Sequence, residues 1–366
     1  MPIAKVHRIS AAAPNDTSGI EQAIADGRID PAGIVAILGK TEGNGNVNDF
    51  TRGFATHALT LMLDKHLWAN AGDVCLVMSG GTEGAMAPHW TVFERAEGAS
   101  QDSGRGPALA IGRAHTAALT PEQIGRGAQV DQVAAGVRAA MADARIGDPA
   151  DVHFVQVKCP LLTAQRIKDA QQRDESVATR DTLKSMGLSR GASALGVASA
   201  LGEIARETIY DAAIGTDVSL WSGRASASAG IELMNHEIVV LGMSAAWEGP
   251  LAIDHAVMAD GIDVEPVRAA LGRRGLAASG QLSVAQRQQL VAVLAKAEAS
   301  HDGQLRGHRH TMLDDSDISS TRHARAFVCG ALAALVGHAE IYVSGGAEHQ
   351  GPDGGGPVAL IVNRHS

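Results

Sequence analysis

Three lysines, three arginines and three serines recur along the 366 residues in one fixed order. The lysines are Lys40, Lys158 and Lys296. The arginines, each following a Ser or Thr, are Arg52, Arg190 and Arg322, and the serines are Ser79, Ser226 and Ser344. A serine hydroxyl is a weak nucleophile at neutral pH and needs a base beside it. Lysine serves as that base only when neutral, a state that burial and nearby positive charge favour. Arginine forks suit carbonyl or enolate-type oxygens, and backbone N–H groups after a serine can hold an oxyanion. Three such sets around one axis fit a flat ligand with threefold character. Any one of these residues alone reads as a solvated surface group; the order repeated three times is what overturns that reading.

The serines close apolar runs of strand character. Val74-Cys75-Leu76-Val77-Met78 ends at Ser79-Gly80-Gly81-Thr82-Glu83-Gly84, and Ile341-Tyr342-Val343 ends at Ser344-Gly345-Gly346-Ala347-Glu348. Glycine at these turns lets the backbone approach a ligand closely. Recurrence within one chain points to an internal repeat. The middle copy is set by an offset: His89 follows Ser79 by ten positions, and His236 follows Ser226 by ten. This selects Ser226-Ala227, with Ser228 left as a rival that spacing does not eliminate. His89 and His236 read as hydrogen-bonded scaffold, and Glu83 and Glu348 as acceptors that fix the loops.

The elements that must position these groups also come in threes: residues 1–104, 109–249 and 251–366. In the first, a strand over 4–9, a helix over 18–26 and a strand over 33–39 deliver Lys40. A helix over 51–68, N-capped by Thr51, then carries Arg52. In the second, a strand at 109–112, a helix over 129–144 and a strand over 152–157 deliver Lys158. An exposed helical insert over 164–185 precedes a helix that starts at Ser189. In the third, a strand at 251–253 leads to helices over 264–271 and 284–293, then Lys296. A helix over 321–336, a strand at 341–343 and a final strand over 358–362 complete it. The fold class is α/β.

Composition narrows the class of function. The chain is 45% apolar and 19% charged, which suits a packed domain rather than a disordered one. A net charge of −9 without a basic tract argues against nucleic acid as partner. Cys75, Cys159 and Cys329 are odd in number and lie in apolar surroundings, as expected of buried free thiols in a reducing compartment. No run reaches membrane-spanning length and the N-terminus lacks a signal-peptide core, so no membrane partner and a cytoplasmic location are expected. No paired-histidine spacing suggests a catalytic zinc.

The chain resembles the cyanuric acid amidohydrolase and barbiturase (ring-opening amidohydrolase) family over its whole length. The likeness rests on Gly39-Lys40-Thr41-Glu42-Gly43-Asn44-Gly45, Met78 to Gly84, Ser226 with Glu232-Leu233-Met234 and His236-Glu237, and Ser344 to Pro352. The resemblance implies three similar α/β units whose sheets form a central triangular barrel with helices outside and the active site on the pseudo-threefold axis. It implies hydrolytic opening of cyanuric acid to carboxybiuret and then biuret, with barbituric acid as the alternative substrate and a non-catalytic cyclic-imide-binding protein as the rival class. Ser226 and Lys158 become nucleophile and base. Arg52, Ser79, Gly80, Arg190, Ala227, Arg322, Ser344 and Gly345 hold the substrate, and Lys40 and Lys296 support their own serines. A structural divalent cation, Mg or Ca, is implied at Glu298, Ala347, Gln350, Gly351, Pro352 and Gly355, with no organic cofactor; so is a homo-oligomer, a tetramer. The loop Asp317 to Ser320 is where a contact discriminating the two rings is expected.

Overall fold

The computed structural model describes residues 1–98 and 106–364. The first 98 contain β1 (Pro2–Ser10), α1 (Ser18–Ala25), β2 (Ile34–Thr41), α2 (Phe50–Leu67), β3 (Cys75–Gly80) and β4 (His89–Glu97). Next come β5 (Ala108–His115), α3 (Gly127–Asp143), β6 (Val152–Pro160), α4 (Ala164–Gln172), α5 (Thr182–Ala200), β7 (Ala225–Gly230) and β8 (Glu237–Ser244). The rest holds β9 (Leu251–Met258), α6 (Glu265–Arg273), α7 (Val284–Gln289), β10 (Leu290–Ala297), the small hairpin β11 (Gln304–Leu305) and β12 (His308–Arg309), α8 (Ser320–Val336), β13 (Tyr342–Gly345) and β14 (Gly356–Asn363).

The strands form three four-stranded sheets, ordered β1-β4-β2-β3, β5-β8-β6-β7 and β9-β14-β10-β13. Each thus runs first, last, second, third in chain order. The second and third strands pair in parallel, as a crossover through a helix permits, and the other pairs are antiparallel. Strand β2 is buried at all eight positions, which its run Ile34-Val35-Ala36-Ile37-Leu38 requires of a strand covered on both faces. One hydrophobic cluster takes Leu38 and Val77 from the first sheet, Val157 and Val240 from the second, and Leu294 and Leu360 from the third. Side-chain packing and side-chain hydrogen bonds join the sheets. Among the described residues only an isolated bridge, Ile3 with Glu248, links β-structure across them, so the three sheets stay separate and the expected central triangular barrel is not closed.

Some expected boundaries move, each for a local reason. Helix α5 begins at Thr182 rather than Ser189, because Asp181 caps it by accepting from the Lys184 N–H at 2.9 Å. The helix expected over 284–293 stops at Gln289. Beyond it Leu290-Val291-Ala292-Val293-Leu294 is a continuous apolar run that β13 and β14 flank as a central strand. Helix α2 starts at Phe50, and Asp49 rather than Thr51 supplies the cap, accepting from the Thr51 N–H at 3.0 Å. The boundary expected at residue 104 lies outside the described residues.

A half-buried acid stitches the first two sheets together. Glu237, opposite Lys158 in register, accepts at Oε2 from the Leu76 N–H of the edge strand β3 at 2.7 Å. Burial raises its carboxyl from 4.5 to about 7, against the backbone bond and the Lys158 charge. Below pH 4.5 both folded and unfolded chains hold this proton. Between 4.5 and 7 only the folded chain does, so this group's contribution falls as pH rises and is fully lost above 7. Glu237→Gln keeps an acceptor for Leu76 without the charge. Its denaturation midpoint should match the native chain's at pH 4.5 and exceed it at pH 8, by roughly 1–3 kcal/mol in unfolding free energy.

Candidate active site

Parallel register sets a lysine opposite a serine three times. Lys40 faces Ser79 across β2 and β3, Lys296 faces Ser344 across β10 and β13, and Lys158 faces Ser228 across β6 and β7. Ser226, expected to be the nucleophile, faces Gln156 instead. It lies one pleat repeat before Ser228 on the same strand face, and its fully buried Oγ has no hydrogen-bond partner among the described residues. Ala227 is likewise displaced from the substrate role. Its N–H donates to Gln350 Oε1 at 2.6 Å and its carbonyl accepts from Lys296. The matching stretch is Ser228-Ala229-Gly230-Ile231-Glu232, which puts glutamate four residues after the serine as in Ser79…Glu83 and Ser344…Glu348. That spacing was visible in the sequence and outranks the histidine offset.

Lys40 Nζ donates to Ser79 Oγ at 3.1 Å and to the Val343 carbonyl at 2.8 Å. Lys296 Nζ donates to Ser344 Oγ at 3.1 Å and to the Ala227 carbonyl at 3.0 Å. Lys158 Nζ donates to the Met78 carbonyl at 3.0 Å and lies 2.6 Å from Glu232 Oε1. Every lysine therefore bonds the carbonyl just before a serine of another sheet. Ser228 and Ser344 also touch, Oγ to Oγ, at 3.1 Å. Burial first, then the Arg325 charge, drives Lys40 well below its ordinary range. Burial and Arg190 bring Lys296 to about 7.

The three serines and the residue after each (Gly80, Ala229, Gly345) line one cavity with Arg52, Arg190 and Arg325. Arg322, expected there, has its side chain about one third exposed and reaches Glu83 Oε1 through Nε at 3.0 Å. Arg325 is 2% exposed and is the arginine that faces the cavity, three residues or nearly one turn further along α8. Its sequence neighbours Arg325-Ala326-Phe327 match Arg52-Gly53-Phe54 better than those of Arg322 do. Gly45 and Met186 complete the lining and were not foreseen. Asp317 to Ser320 lies in an exposed stretch off this lining.

The remaining expected groups take structural places. His89 Nδ1 meets the Ala87 carbonyl at 2.8 Å, and His236 meets Thr116 Oγ1 at 2.9 Å and Gln129 Nε2 at 3.0 Å. Burial lowers them to about 4 and about 3, so both are neutral scaffold. All three cysteines are free and buried, and burial raises the Cys159 thiol, which disfavours a nucleophilic thiolate. Glu83 and Glu348 do more than fix loops: each forks onto a cavity arginine, Glu83 onto Arg325 and Glu348 onto Arg190.

The residues expected to hold a divalent cation cluster beside the cavity. Glu298 accepts from the Ala347 N–H, and a second hollow is lined by Glu298, Ala347, Glu348, Gly351, Pro352 and Gly354. Gly351 and Gly354 have φ of 96° and 78°, left-handed values that turn a loop's carbonyls through a tight path. Burial and the Glu348 charge raise the Glu298 carboxyl to about 7. A half-buried carboxylate with loop carbonyls around it is a donor set that fits a hard cation. Gln350 and Gly355 are off this lining: the Gln350 side-chain oxygen is spent on the Ala227 N–H, and the Gly355 N–H donates to the Pro352 carbonyl at 2.9 Å.

The fold is an α/β frame that brings buried lysines, serines and arginines together at one cavity. The sequence model of the amidohydrolase ring-opening protein family matches residues 5–363, and the chain belongs to that family. It is 65% identical to the cyanuric acid amidohydrolase of Azorhizobium caulinodans over 364 residues, covering 100% of this chain and 99% of that one. It is 61% identical to the cyanuric acid amidohydrolase of a Bradyrhizobium species, covering 99% and 98%. The solved cyanuric acid hydrolase from A. caulinodans superposes with a TM-score of 0.93 over the full length of both chains. Another solved cyanuric acid hydrolase, 49% identical, superposes at 0.95 over 99% of this chain and 100% of that one.

Removing the orphaned Ser226 hydroxyl should not weaken the fold. A buried hydroxyl without a partner costs about 1–3 kcal/mol in lost hydration. Ser226→Ala should unfold at the same or higher denaturant concentration than the native chain. A drop of more than about 1 kcal/mol would show that Oγ has a partner after all.

Proposed function

We propose that the protein opens the ring of cyanuric acid by hydrolysing a ring C–N bond, with Ser228 as nucleophile and Lys158 as its base. The observation that carries this reading is the convergence of three serines, each opposite a lysine, and three arginines on one cavity. A flat ring with three carbonyls can present one to each set. The relatives' activity on cyanuric acid supports the choice of ring.

Ser228 Oγ attacks a ring carbonyl carbon while its proton passes to Lys158. The N–H groups after the serines and the arginine forks hold the oxygen that becomes negative. The tetrahedral centre collapses, the ring C–N bond breaks, and the departing nitrogen takes the proton from Lys158. Water then cleaves the acyl ester, releasing carboxybiuret and restoring the serine; carboxybiuret loses carbon dioxide to give biuret. Lys40 and Lys296 polarise Ser79 and Ser344 rather than taking part in attack.

The same reading treats residues 1–104, 109–249 and 251–366 as three related units around an axis through the cavity. Their common strand order and common Lys–Ser register support this. It includes a structural Mg or Ca ion held by Glu298 and the carbonyls of the 347–355 loop, which would neutralise buried acid and brace the Arg190–Glu348 pair. A cytoplasmic homotetramer belongs to it as well, and three buried free thiols support a reducing compartment. No helix among the described residues is long and apolar enough to cross a membrane.

Initial rates on cyanuric and barbituric acid, measured side by side, test the substrate and the serine together. Turnover of cyanuric acid alone is expected. Ser228→Ala should lose at least about 1,000-fold in kcat, while Ser226→Ala stays within about threefold. Turnover of barbituric acid alone would move the substrate to the sister ring. Full activity in Ser228→Ala would remove the nucleophile. Arg325→Ala should cost at least about 100-fold in kcat/KM and Arg322→Ala less than about tenfold.

Cation binding is checked by thermal unfolding. Mg or Ca at about a hundredfold its Kd should add about 2.7 kcal/mol, and excess chelator should remove it. Glu298→Gln should show no such increment.

A further inference from the structure

The glutamate four residues after each site serine meets a different fate in the second sheet. Glu83 takes Arg325 through two bonds of 2.9 and 2.5 Å, and Glu348 takes Arg190 through two of 2.8 and 2.6 Å. With those arginines engaged, Lys40 and Lys296 are free to bond their own serines, both at 3.1 Å. Glu232 instead sits 2.6 Å from Lys158. The arginine left over is Arg52. Its Nη1 and Nη2 donate to the Ala229 and Asn46 carbonyls at 3.1 and 2.6 Å, while its buried Nε has no partner among the described residues. Lys158 makes no hydrogen bond to Ser228 among the described residues; Met78 and Glu232 hold it.

We propose that Glu232 changes partner during the reaction, leaving Lys158 for Arg52, and that this exchange delivers Lys158 to Ser228. Glu232 is thus a positioning residue, acting through Lys158, and the inference rests on the assignment of Ser228 as nucleophile. Lys158 in an ion pair is an ammonium with no lone pair to accept the serine's proton. Releasing the carboxylate, with one Lys158 proton passing to solvent water, leaves a neutral nitrogen that turns towards Ser228, as its two counterparts already turn to their serines. The vacant Nε of Arg52 is the donor that would receive it. Both cations already act on Glu232: burial would raise its carboxyl, but the Lys158 and Arg52 charges hold it at about 2. The other charged groups near the pair are Glu237, opposite Lys158, and Arg166. Arg166 clamps the Ile231 and Leu233 carbonyls at 2.9 and 3.0 Å, so the movement falls on the Glu232 side chain and the peptide at Gly230.

Gly230 supplies the freedom. In the other two sheets the glycine two places after the serine turns with left-handed φ, 102° at Gly81 and 75° at Gly346, and sends its glutamate to the arginine. Gly230 stays in extended strand β7. A glycine can cross between these conformations with no side chain to obstruct it.

The experiment is a crystal structure of the full-length Ser228→Ala enzyme with cyanuric acid, joined to steady-state kinetics of Glu232→Gln. The complex should show Glu232 within about 3.2 Å of Arg52 Nε and Lys158 turned to residue 228. A bound ring with the Lys158–Glu232 contact intact would overturn the exchange while leaving the substrate reading standing. No binding and no wild-type turnover of the ring would overturn the substrate reading and the exchange that rests on it. In Glu232→Gln the ring no longer has to break an ion pair, but Arg52 gets only a neutral acceptor. KM should therefore fall about threefold and kcat about tenfold. A raised KM with unchanged kcat would mark Glu232 as a structural brace and sink the proposal.

Discussion

Everything in the site depends on the pairing of a lysine with a serine across two parallel strands. A shift of one residue would turn each lysine to the opposite face and bury its charge without partners. The tolerance is small because the lysines are fully buried: Lys40, Lys158 and Lys296 are at most 1% exposed. Lys40 and Lys296 are each held by acceptors drawn from two sheets, and Lys158 by the Met78 carbonyl of the first sheet and by Glu232 just after β7, so register and docking between sheets are satisfied together. Lys296 shows this best, with Ser344 Oγ and the Gly345 carbonyl on its own sheet and the Ala227 carbonyl on another.

Three arginines packed around three lysines would repel one another without compensating acid. The glutamates after the serines provide it, and those of the first and third sheets do so across sheet boundaries. Breaking such a largely buried pair leaves an uncompensated charge, which is more costly than losing an exposed one. The glycines two places after Ser79 and Ser344 are part of the same arrangement. A Cβ at Gly81 would strike the Arg325 guanidinium, and one at Gly346 would strike that of Arg190. The Ser-x-Gly-x-Glu pattern therefore records a steric need and an electrostatic one at once.

Much of this was legible in the sequence. The three lysines, Arg52, Arg190, Ser79 and Ser344 lie where their order implied, because strand runs and helix starts leave clear periodic marks. Ser226 and Arg322 were misplaced for a shared reason. Position along a strand or helix decides which neighbouring residue of similar type faces the cavity, and spacing to a distant landmark does not fix that face. Ser228 lies two residues from Ser226 on the same strand face, and Arg325 lies nearly one turn from Arg322, so periodicity alone favours neither. What separates them is the residue pattern immediately around each. The α7–β10 junction was missed because Leu290 to Leu294 satisfies a helix or a buried strand equally until its partners are known.

A ring with three equivalent carbonyls poses a problem that a fully symmetric site would not solve. Three identical serines would bind three carbonyls equally well and leave no reason for one to be attacked. The second sheet differs from the other two at three adjoining points: alanine follows the serine, the next glycine stays extended, and the glutamate sits on lysine rather than arginine. The last two departures have one physical origin. Once the backbone at Gly230 does not turn, Glu232 is carried towards Lys158, and Arg52 is left with an unpaired Nε. The energy of binding through two settled sets can then be directed at rearranging the third, which is how binding away from the reacting carbonyl lowers the barrier at it.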